Sequence, residues 1–263
     1  MHVGLVQTSP VFGKPQQNIA DALAPIVPGR ADVWVLPELF ATGYQFRDRP
    51  ELLELSEHVP DGPTTQVLIE KACESSCHIV AGLAERDGDR LYNSAVLVGP
   101  SGLLTCYRKV HLFYRETLLF SPGDRSFPVV DIGAAKVGVM ICFDHLFPES
   151  ARSLALQGAD LIAHPANLVL PDLAQRTMAV RALENGLFTA TANRVGTEAR
   201  TDETLTYTGQ SQIVGPDGVM LHRMSPNEVG YSVIEIEIER ARSKRITDHN
   251  DKLSDRRPDQ YRL

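Results

Sequence analysis

Short apolar runs alternate with helical patterns along this chain, in an order that occurs twice, and no other feature constrains the fold as much. The runs fall at His2–Gln7, Asp32–Leu36, His78–Ala84, Ser94–Val98, Val137–Cys142, Asp160–His164, Leu187–Ala192 and Ser211–Val214. Helical patterns lie at Pro15–Val27, Thr64–Ser76, Pro148–Gln157 and Ala174–Asn185, with Thr64 expected as an N-cap and Pro148 in a first turn. Such alternation predicts an α/β architecture. The halves also echo each other. Lys-Val-Gly-Val-Met at 136–140 matches His-Val-Gly-Leu-Val at 2–6, and Asp32 precedes Pro37 by five residues as Asp160 precedes Pro165. Val-Gly-Pro-Ser-Gly at 98–102 returns as Val-Gly-Pro-Asp-Gly at 214–218, each reading as a tight turn between strands. The repeat predicts a pseudo-twofold layered fold, two sheets face to face with helices outside, in which Gly123–Ala135 links the halves. Residues 1–263 are read as a single domain with 240–263 as a C-terminal arm.

Composition narrows the partners. The first residues carry no basic leader, and their apolar run breaks at Gln7. No stretch approaches the roughly 18 apolar residues of a membrane span. The four cysteines (Cys73, Cys77, Cys106 and Cys142) are too few for a disulfide framework, so the expected compartment is the cytoplasm. A net charge of −7 argues against nucleic acid. Residues 240–263 nevertheless hold eight Lys/Arg and four Asp, or +4 against −11 elsewhere. That tail reads as a polyanion-binding arm or, because its acids are interspersed, as an arm packed on an acidic neighbour.

Three residues stand where α/β folds gather ligands, at the ends of apolar runs. Cys142 ends one run and precedes a turn into a helix, so a nucleophile there is exposed and the next N–H groups face an oxyanion. Alone, such a cysteine is more often a buried structural thiol. Glu38 follows Asp-Val-Trp-Val-Leu-Pro and alone reads as a surface cap. Lys109 sits among apolar residues, either snorkelling or buried with a partner. Together they are coherent. A cation beside a thiol favours the thiolate, and a carboxylate beside the cation offsets its burial. Desolvation raises a Glu pKa from about 4.3 toward values useful for proton transfer. A competing arrangement pairs Cys142 with His111, His145 or His164 as a Cys-His hydrolase. Asp144, His145 and His164 offer metal-binding groups without distinctive spacing, and the reading takes no metal.

The blocks Leu-Pro-Glu-Leu-Phe-Ala-Thr-Gly-Tyr at 36–44, Tyr-Arg-Lys-Val-His-Leu-Phe at 107–113 and Gly-Val-Met-Ile-Cys-Phe-Asp at 138–144 carry a further resemblance. With Phe-Pro-Glu-Ser-Ala-Arg at 147–152, Arg-Ala-Leu-Glu-Asn at 181–185 and Asp-Arg-Arg-Pro at 255–258, the chain resembles the nitrilase superfamily of carbon–nitrogen hydrolases, particularly short archaeal and bacterial aliphatic amidases and nitrilases. The resemblance implies a four-layer αββα sandwich and a Glu–Lys–Cys triad on Glu38, Lys109 and Cys142. It further implies a second glutamate at Glu116, a pocket residue at Asn167 and an oxyanion N–H from Phe143. Phe113, Tyr114, Phe143 and His145 are candidate pocket walls, equally readable as core packing. The resemblance implies a homodimer or higher oligomer with crossing C-terminal arms, and neither metal nor organic cofactor. Cys-Phe-Asp at 142–144 differs from the Cys-Trp-Glu of true nitrilases and the Cys-Asn-Asp of many carbamoyl hydrolases, and Leu146 stands where omega-amidase-like members carry Arg. The expectation is hydrolysis of a small aliphatic amide through a thioester. The alternatives are a small nitrile, an N-carbamoyl compound, or a catalytically silent binding member.

Overall fold

The computed structural model describes residues 1–261; residues 262 and 263, the end of the expected arm, lie outside the described residues. The first half runs β1 (His2–Gln7), α1 (Pro15–Leu23), β2 (Val33–Val35), α2 (Arg49–Leu55), α3 (Pro63–Ser75), β3 (His78–Asp87), β4 (Arg90–Gly99) and β5 (Gly102–Arg108). After α4 (Glu116–Leu119) come β6 (Val129–Asp131), β7 (Lys136–Val139), α5 (Pro148–Leu156), β8 (Leu161–Pro165), α6 (Leu173–Asn185) and β9 (Phe188–Ala192). A ribbon, β10 (Thr197–Glu198) and β11 (Leu205–Thr206), precedes β12 (Gln212–Val214), β13 (Met220–Arg223) and β14 (Gly230–Glu235). The short helix α7 (Glu239–Arg242) and a second ribbon, β15 (Arg245–Thr247) and β16 (Asn250–Asp251), follow.

Two six-stranded sheets result, ordered β14-β1-β2-β3-β4-β5 and β13-β12-β9-β8-β7-β6. In each, three parallel strands lead into an antiparallel hairpin, as the repeat predicts. The two aspartates of the echo do the same work. Asp32 Oδ2 accepts the His2 N–H at 2.6 Å and Asp160 Oδ2 the Lys136 N–H at 2.9 Å, each tying the second strand of its half to the first. Each half also lends a strand to the other. β6, which follows the β4–β5 hairpin, pairs with β7, and β14, which follows the β12–β13 hairpin, pairs with β1 over six residues. The stretch expected as a plain linker therefore contains an edge strand of the second sheet.

The layers follow from burial. One cluster joins Val3, Leu5, Val33 and Val80 of the first sheet to Val137, Ile141, Leu161 and Phe188 of the second. Outside it, Trp34 and Ile79 pack on Ala22, Leu68 and Ala72 of α1 and α3. On the opposite side, Met140 and Ile162 pack on Ala151, Leu154 and Met178 of α5 and α6. The result is the four-layer αββα sandwich. No helix among the described residues is long and apolar enough to cross a membrane.

Local chemistry moves several boundaries. Thr64 is not the N-cap of α3; Gly62 is, with Pro63 next. The Glu57 carboxylate supplies the capping instead, accepting the Thr64 and Thr65 N–H groups at 2.8 Å each. Helix α1 stops at Leu23 rather than Val27, because Pro25 has no N–H to continue the ladder, although Ala24 before it keeps helical angles. Strand β7 ends at Val139, not Cys142, because Asp144 draws the Ile141 N–H to its own carboxylate at 2.9 Å and bends the chain out of the ladder. The arm does not rest mainly on acids. Arg240 meets Asp217 at 2.8 Å, but Lys244 donates to the Gly186 carbonyl at 2.8 Å and Lys252 to the Leu183 carbonyl at 2.6 Å, where α6 leaves its last carbonyls free.

Candidate active site

Glu38 lies just beyond β2, against β3. Gly82 makes this approach possible: a Cβ there would stand 2.5 Å from the Glu38 Cα. Lys109 leaves the end of β5, its N–H bonded to the Asn93 carbonyl at 2.8 Å and its own carbonyl receiving the Gly123 N–H at 2.8 Å. Side chains alternate faces along a strand, so neighbouring Arg108 turns the other way, into Glu85 at 2.5 Å and Asp87 at 2.7 Å. The Lys109 ammonium donates to Glu38 Oε1 at 2.7 Å and Glu116 Oε1 at 2.8 Å, with all three side chains buried. Asn93 Nδ2 also donates to Glu38 Oε1, at 2.6 Å. Glu116 receives the Tyr44 hydroxyl on Oε1 at 2.7 Å and the Phe113 N–H on Oε2 at 3.0 Å. Glu38 Oε2, by contrast, is buried without a partner.

Cys142 opens a single 3-10 turn, Cys142–Leu146, and holds a left-handed φ of 41°. For a non-glycine residue such a backbone persists only where its surroundings enforce it. Here Asp144 Oδ2 takes the Ile141 N–H and the Tyr107 hydroxyl at 2.8 Å, and Oδ1 takes His111 Nδ1 at 2.8 Å. Across from it, His164 Nε2 bonds the Cys142 carbonyl at 2.9 Å. The first N–H groups of such a turn have no partner within it, and the Phe143 N–H, next after Cys142, is one of them.

Burial, reinforced by Glu38, pushes the Cys142 thiol well above its ordinary pKa, and Lys109 pulls the other way without prevailing. The neighbouring cation alone favours the thiolate, and burial with Glu38 favours the neutral thiol. Burial likewise raises Glu38, with Lys109 opposing and Glu116 adding to the rise. Burial works against the Lys109 charge, but Glu116 and Glu38 outweigh it and its pKa is raised. Burial, then Arg181, lowers His145 to about 4, and burial, then His145, lowers His164 to about 3. Both imidazoles are neutral at pH 7.

The Cys-His alternative loses His111 and His164, neither of which bonds the thiol, and leaves only His145, which lines the cleft beside Cys142 with Nδ1 unpartnered. His164 holds the backbone of Cys142, His111 is taken by Asp144 and stacked 3.7 Å from Phe147, and the thiol's hydrogen bond goes to the Asn167 carbonyl at 3.9 Å. Nor is there a cluster of three or more His, Cys, Asp or Glu arranged to hold a metal among the described residues. Cys142, Phe113, Phe143, His145 and Asn167 line one cleft with Leu168–Leu170, Leu173 and Ala174. It leaves about 20 Å³ of free space, room for roughly one water. A larger groove of about 540 Å³ includes Thr8, Asp21, Arg30 and Tyr231, but none of Glu38, Lys109, Glu116 or Cys142. Tyr114 is not a cleft wall: it is 51% exposed, with its hydroxyl on Glu203. The tyrosine at the carboxylates is Tyr44, and sequence reasoning gave it no role. It also missed Asn93, although a polar residue inside the apolar strand Leu-Tyr-Asn-Ser-Ala-Val-Leu was a usable signal.

Residues 2–246 match the carbon-nitrogen hydrolase family model, and the chain belongs to that family. It is a carbon–nitrogen hydrolase of the nitrilase superfamily, acting on non-peptide C–N bonds. A nitrilase of Pyrococcus abyssi is 50% identical over 262 residues, covering 98% of both chains. An (R)-stereoselective amidase of a Pseudomonas species is 34% identical, covering 98% of this chain and 92% of that one. Among solved structures, an amidase from Nesterenkonia sp. superposes with a TM-score of 0.84 at 28% identity, covering 98% of this chain and 94% of that one. A glutamate-to-glutamine mutant of the Nesterenkonia sp. AN1 amidase (TM-score 0.81, 26% identity, 98% and 97% covered) carries the product of Michael addition of acrylamide at its active-site cysteine.

Proposed function

We propose that this chain hydrolyses a small aliphatic amide to its carboxylic acid and ammonia, with Cys142 as nucleophile. The observation that carries the reading is the unequal binding of two carboxylates by one lysine. Glu116 has hydrogen bonds on both oxygens, whereas Glu38 keeps Oε2 free. In the cycle, Glu38 Oε2 takes the Cys142 proton as sulfur attacks the carbonyl carbon. An ammonium has three N–H bonds; two of those on Lys109 go to the glutamates, leaving a third for the tetrahedral oxyanion. The Phe143 N–H supplies a second donor. The C–N bond breaks as Glu38 passes its proton to nitrogen, releasing ammonia and leaving a thioester. Glu38 then takes a proton from water as the oxygen attacks the thioester carbon. Collapse expels sulfur, which recovers the proton. The cycle uses no metal or organic cofactor. A panel of short amides assayed for ammonia, with mass spectrometry of the Cys142 adduct, tests it. Failure to release ammonia from any of them would sink the amide reading.

The 50% identical Pyrococcus abyssi relative, a nitrilase, favours a second reading in which a small nitrile enters through a thioimidate. The same panel decides between the two when each amide is matched by its nitrile. We further propose that residues 1–263 act as one domain, supported by the cluster that joins both sheets, and that the protein is a homodimer. Exposed Leu156, Val180 and Leu183 on α5 and α6, with exposed Val219 and Met220 following Gly218, which lies against Leu183, support an apolar face for a second copy. Light scattering of the purified protein checks the mass; a monomer at micromolar concentration removes this proposal.

A further inference from the structure

Four polar atoms at the site are buried and unpartnered: Glu38 Oε2, Asn93 Oδ1, His145 Nδ1 and Asn167 Oδ1. Leaving such a group unpaired costs the full desolvation penalty of that group, so each calls for an explanation. The amide of Asn167 has its orientation fixed. Nδ2 donates to the Glu38 carbonyl at 2.9 Å, so Oδ1 is the free atom, and a flip would set oxygen against oxygen. Asn167 is 3% exposed and lines the cleft beside Cys142, and the Cys142 thiol donates to its backbone carbonyl. The cleft's other walls are mostly carbon: Phe113, Phe143, Leu168, Val169, Leu170 and Ala174. A free acceptor on a largely apolar cleft wall, carried by a residue bonded to Glu38, calls for a ligand with N–H donors.

We propose, resting on the amide-hydrolase reading above, that Asn167 Oδ1 and Glu38 Oε2 form the subsite for the leaving nitrogen, and that Asn167 determines specificity by selecting a primary amide over the nitrile of the same carbon chain. A primary amide presents two N–H donors on arrival. A nitrile nitrogen has none, and gains one only after sulfur has attacked and the carbon–nitrogen triple bond has become a thioimidate. A nitrile in this cleft therefore leaves both acceptors unpaired in the bound state. Sites built to bind an N–H reject analogues that lack it. The selection acts on binding, and so on KM more than on kcat.

The test pairs propionamide with propionitrile. In the wild type, kcat/KM favours the amide at least tenfold, with most of the difference in KM. Asn167→Leu removes the acceptor and fills similar volume, and it lowers the amide value more than the nitrile value, narrowing the ratio at least fivefold. A parallel fall for both substrates means that Asn167 merely props Glu38 through the 2.9 Å bond to its carbonyl, and overturns the proposal. Should the variant not fold, titration calorimetry of the same pair on Cys142→Ala reads binding directly. The amide binds at least fivefold tighter; equal or tighter binding of the nitrile overturns the proposal. If the wild type hydrolyses neither compound nor any longer or shorter amide, the amide-hydrolase reading fails instead, which is a different outcome.

Discussion

After β2 the chain turns through Pro37 into Glu38; after β8, its counterpart in the second half, which ends on Pro165, it turns through Ala166 into Asn167. After β5 it reaches Lys109, and after β7, the counterpart of β1, Cys142. Two halves with one topology thus place different groups at strand ends around one site. The first half supplies the charge: Glu38, Lys109 and Glu116, with Tyr44 and Asn93 bonded to the carboxylates. The second supplies an uncharged thiol, two neutral histidines and the apolar cleft. The backbone differs as well. Glu38 and Lys109 are positioned by close approach at Gly82 and Gly123, whereas Cys142 is held at positive φ by Asp144 and His164. The lesson is that the repeat builds the scaffold, and divergence at its strand ends divides base and anchor from nucleophile.

Removing the nucleophile breaks the division most severely. Cys142→Ala should abolish ammonia release, a loss of about 10⁴-fold or more. The fold should survive, because alanine removes only one sulfur from a packed wall. Circular dichroism with an ammonia assay checks both, and near-normal turnover would exclude Cys142 from the chemistry. On the charged side, Glu38→Gln should cost about 10²–10⁴-fold in kcat, since a carboxamide cannot shuttle protons. Mass spectrometry should then find any acyl group stranded on Cys142. If Glu116→Gln proves more damaging to kcat than Glu38→Gln, the assignment of free base and fixed anchor is reversed. Lys109→Met should damage stability as well as activity, by about 3–5 kcal/mol in urea melts, because it leaves two buried carboxylates without their cation. A variant as stable as the wild type would mean that the carboxylates share a proton instead.

Which parts of this were legible beforehand follows from where the information lies. The repeat was readable because strand period, turn chemistry and the Asp-to-Pro spacing are local, and Asp32 and Asp160 proved to do equivalent work. The return of β14 to β1 was not, since pairing over a separation of more than 200 residues leaves no local trace, and β6, though it pairs locally with β7, is only three residues long. At the site, Glu38, Lys109 and Cys142 were readable as polar ends of apolar runs. The raised pKa of the thiol was not: it depends on burial and on Glu38, and only Lys109 had entered the sequence argument. Tyr44 and Tyr114 were indistinguishable as letters in aromatic-rich motifs; one turns toward Glu116 and the other to the surface.

The neutral histidines mark the second half's side of the comparison, and acid should expose them. Burial lowers His145 to about 4 and His164 to about 3, from an ordinary value near 6.5. Between those limits the unfolded chain binds more protons than the folded one, so stability rises with pH there. Their contribution is complete above about pH 6.5 and falls away as pH drops toward 4 and then 3. The melting temperature should therefore decline over that window, and His164→Asn should flatten the decline even if it lowers stability at pH 7. An unchanged slope in that variant would show that His164 does not titrate as its burial implies.

The smallest effect belongs to Tyr114, and it separates the charged interior of the first half from its rim. Tyr114 stands two residues before Glu116 and in sequence looks as much a part of the site as Tyr44 does. Tyr44 gives its hydroxyl to Glu116 Oε1 at 2.7 Å, and burial with the charges of Glu116 and Glu38 raises its pKa well above 10, so it remains a donor throughout the working range. Tyr114 gives its hydroxyl to Glu203, a partner outside the cleft, and its ring is half in solvent. Removing an exposed hydroxyl leaves the carboxylate partner free to bond water, so little changes. Tyr114→Phe should leave kcat and KM within about twofold of the wild type. Tyr44→Phe should lower kcat roughly tenfold, because it takes a donor from the carboxylate that anchors Lys109. A tenfold loss in Tyr114→Phe alongside a silent Tyr44→Phe would place the substrate on the rim, and with it the specificity assigned to the cleft at Asn167.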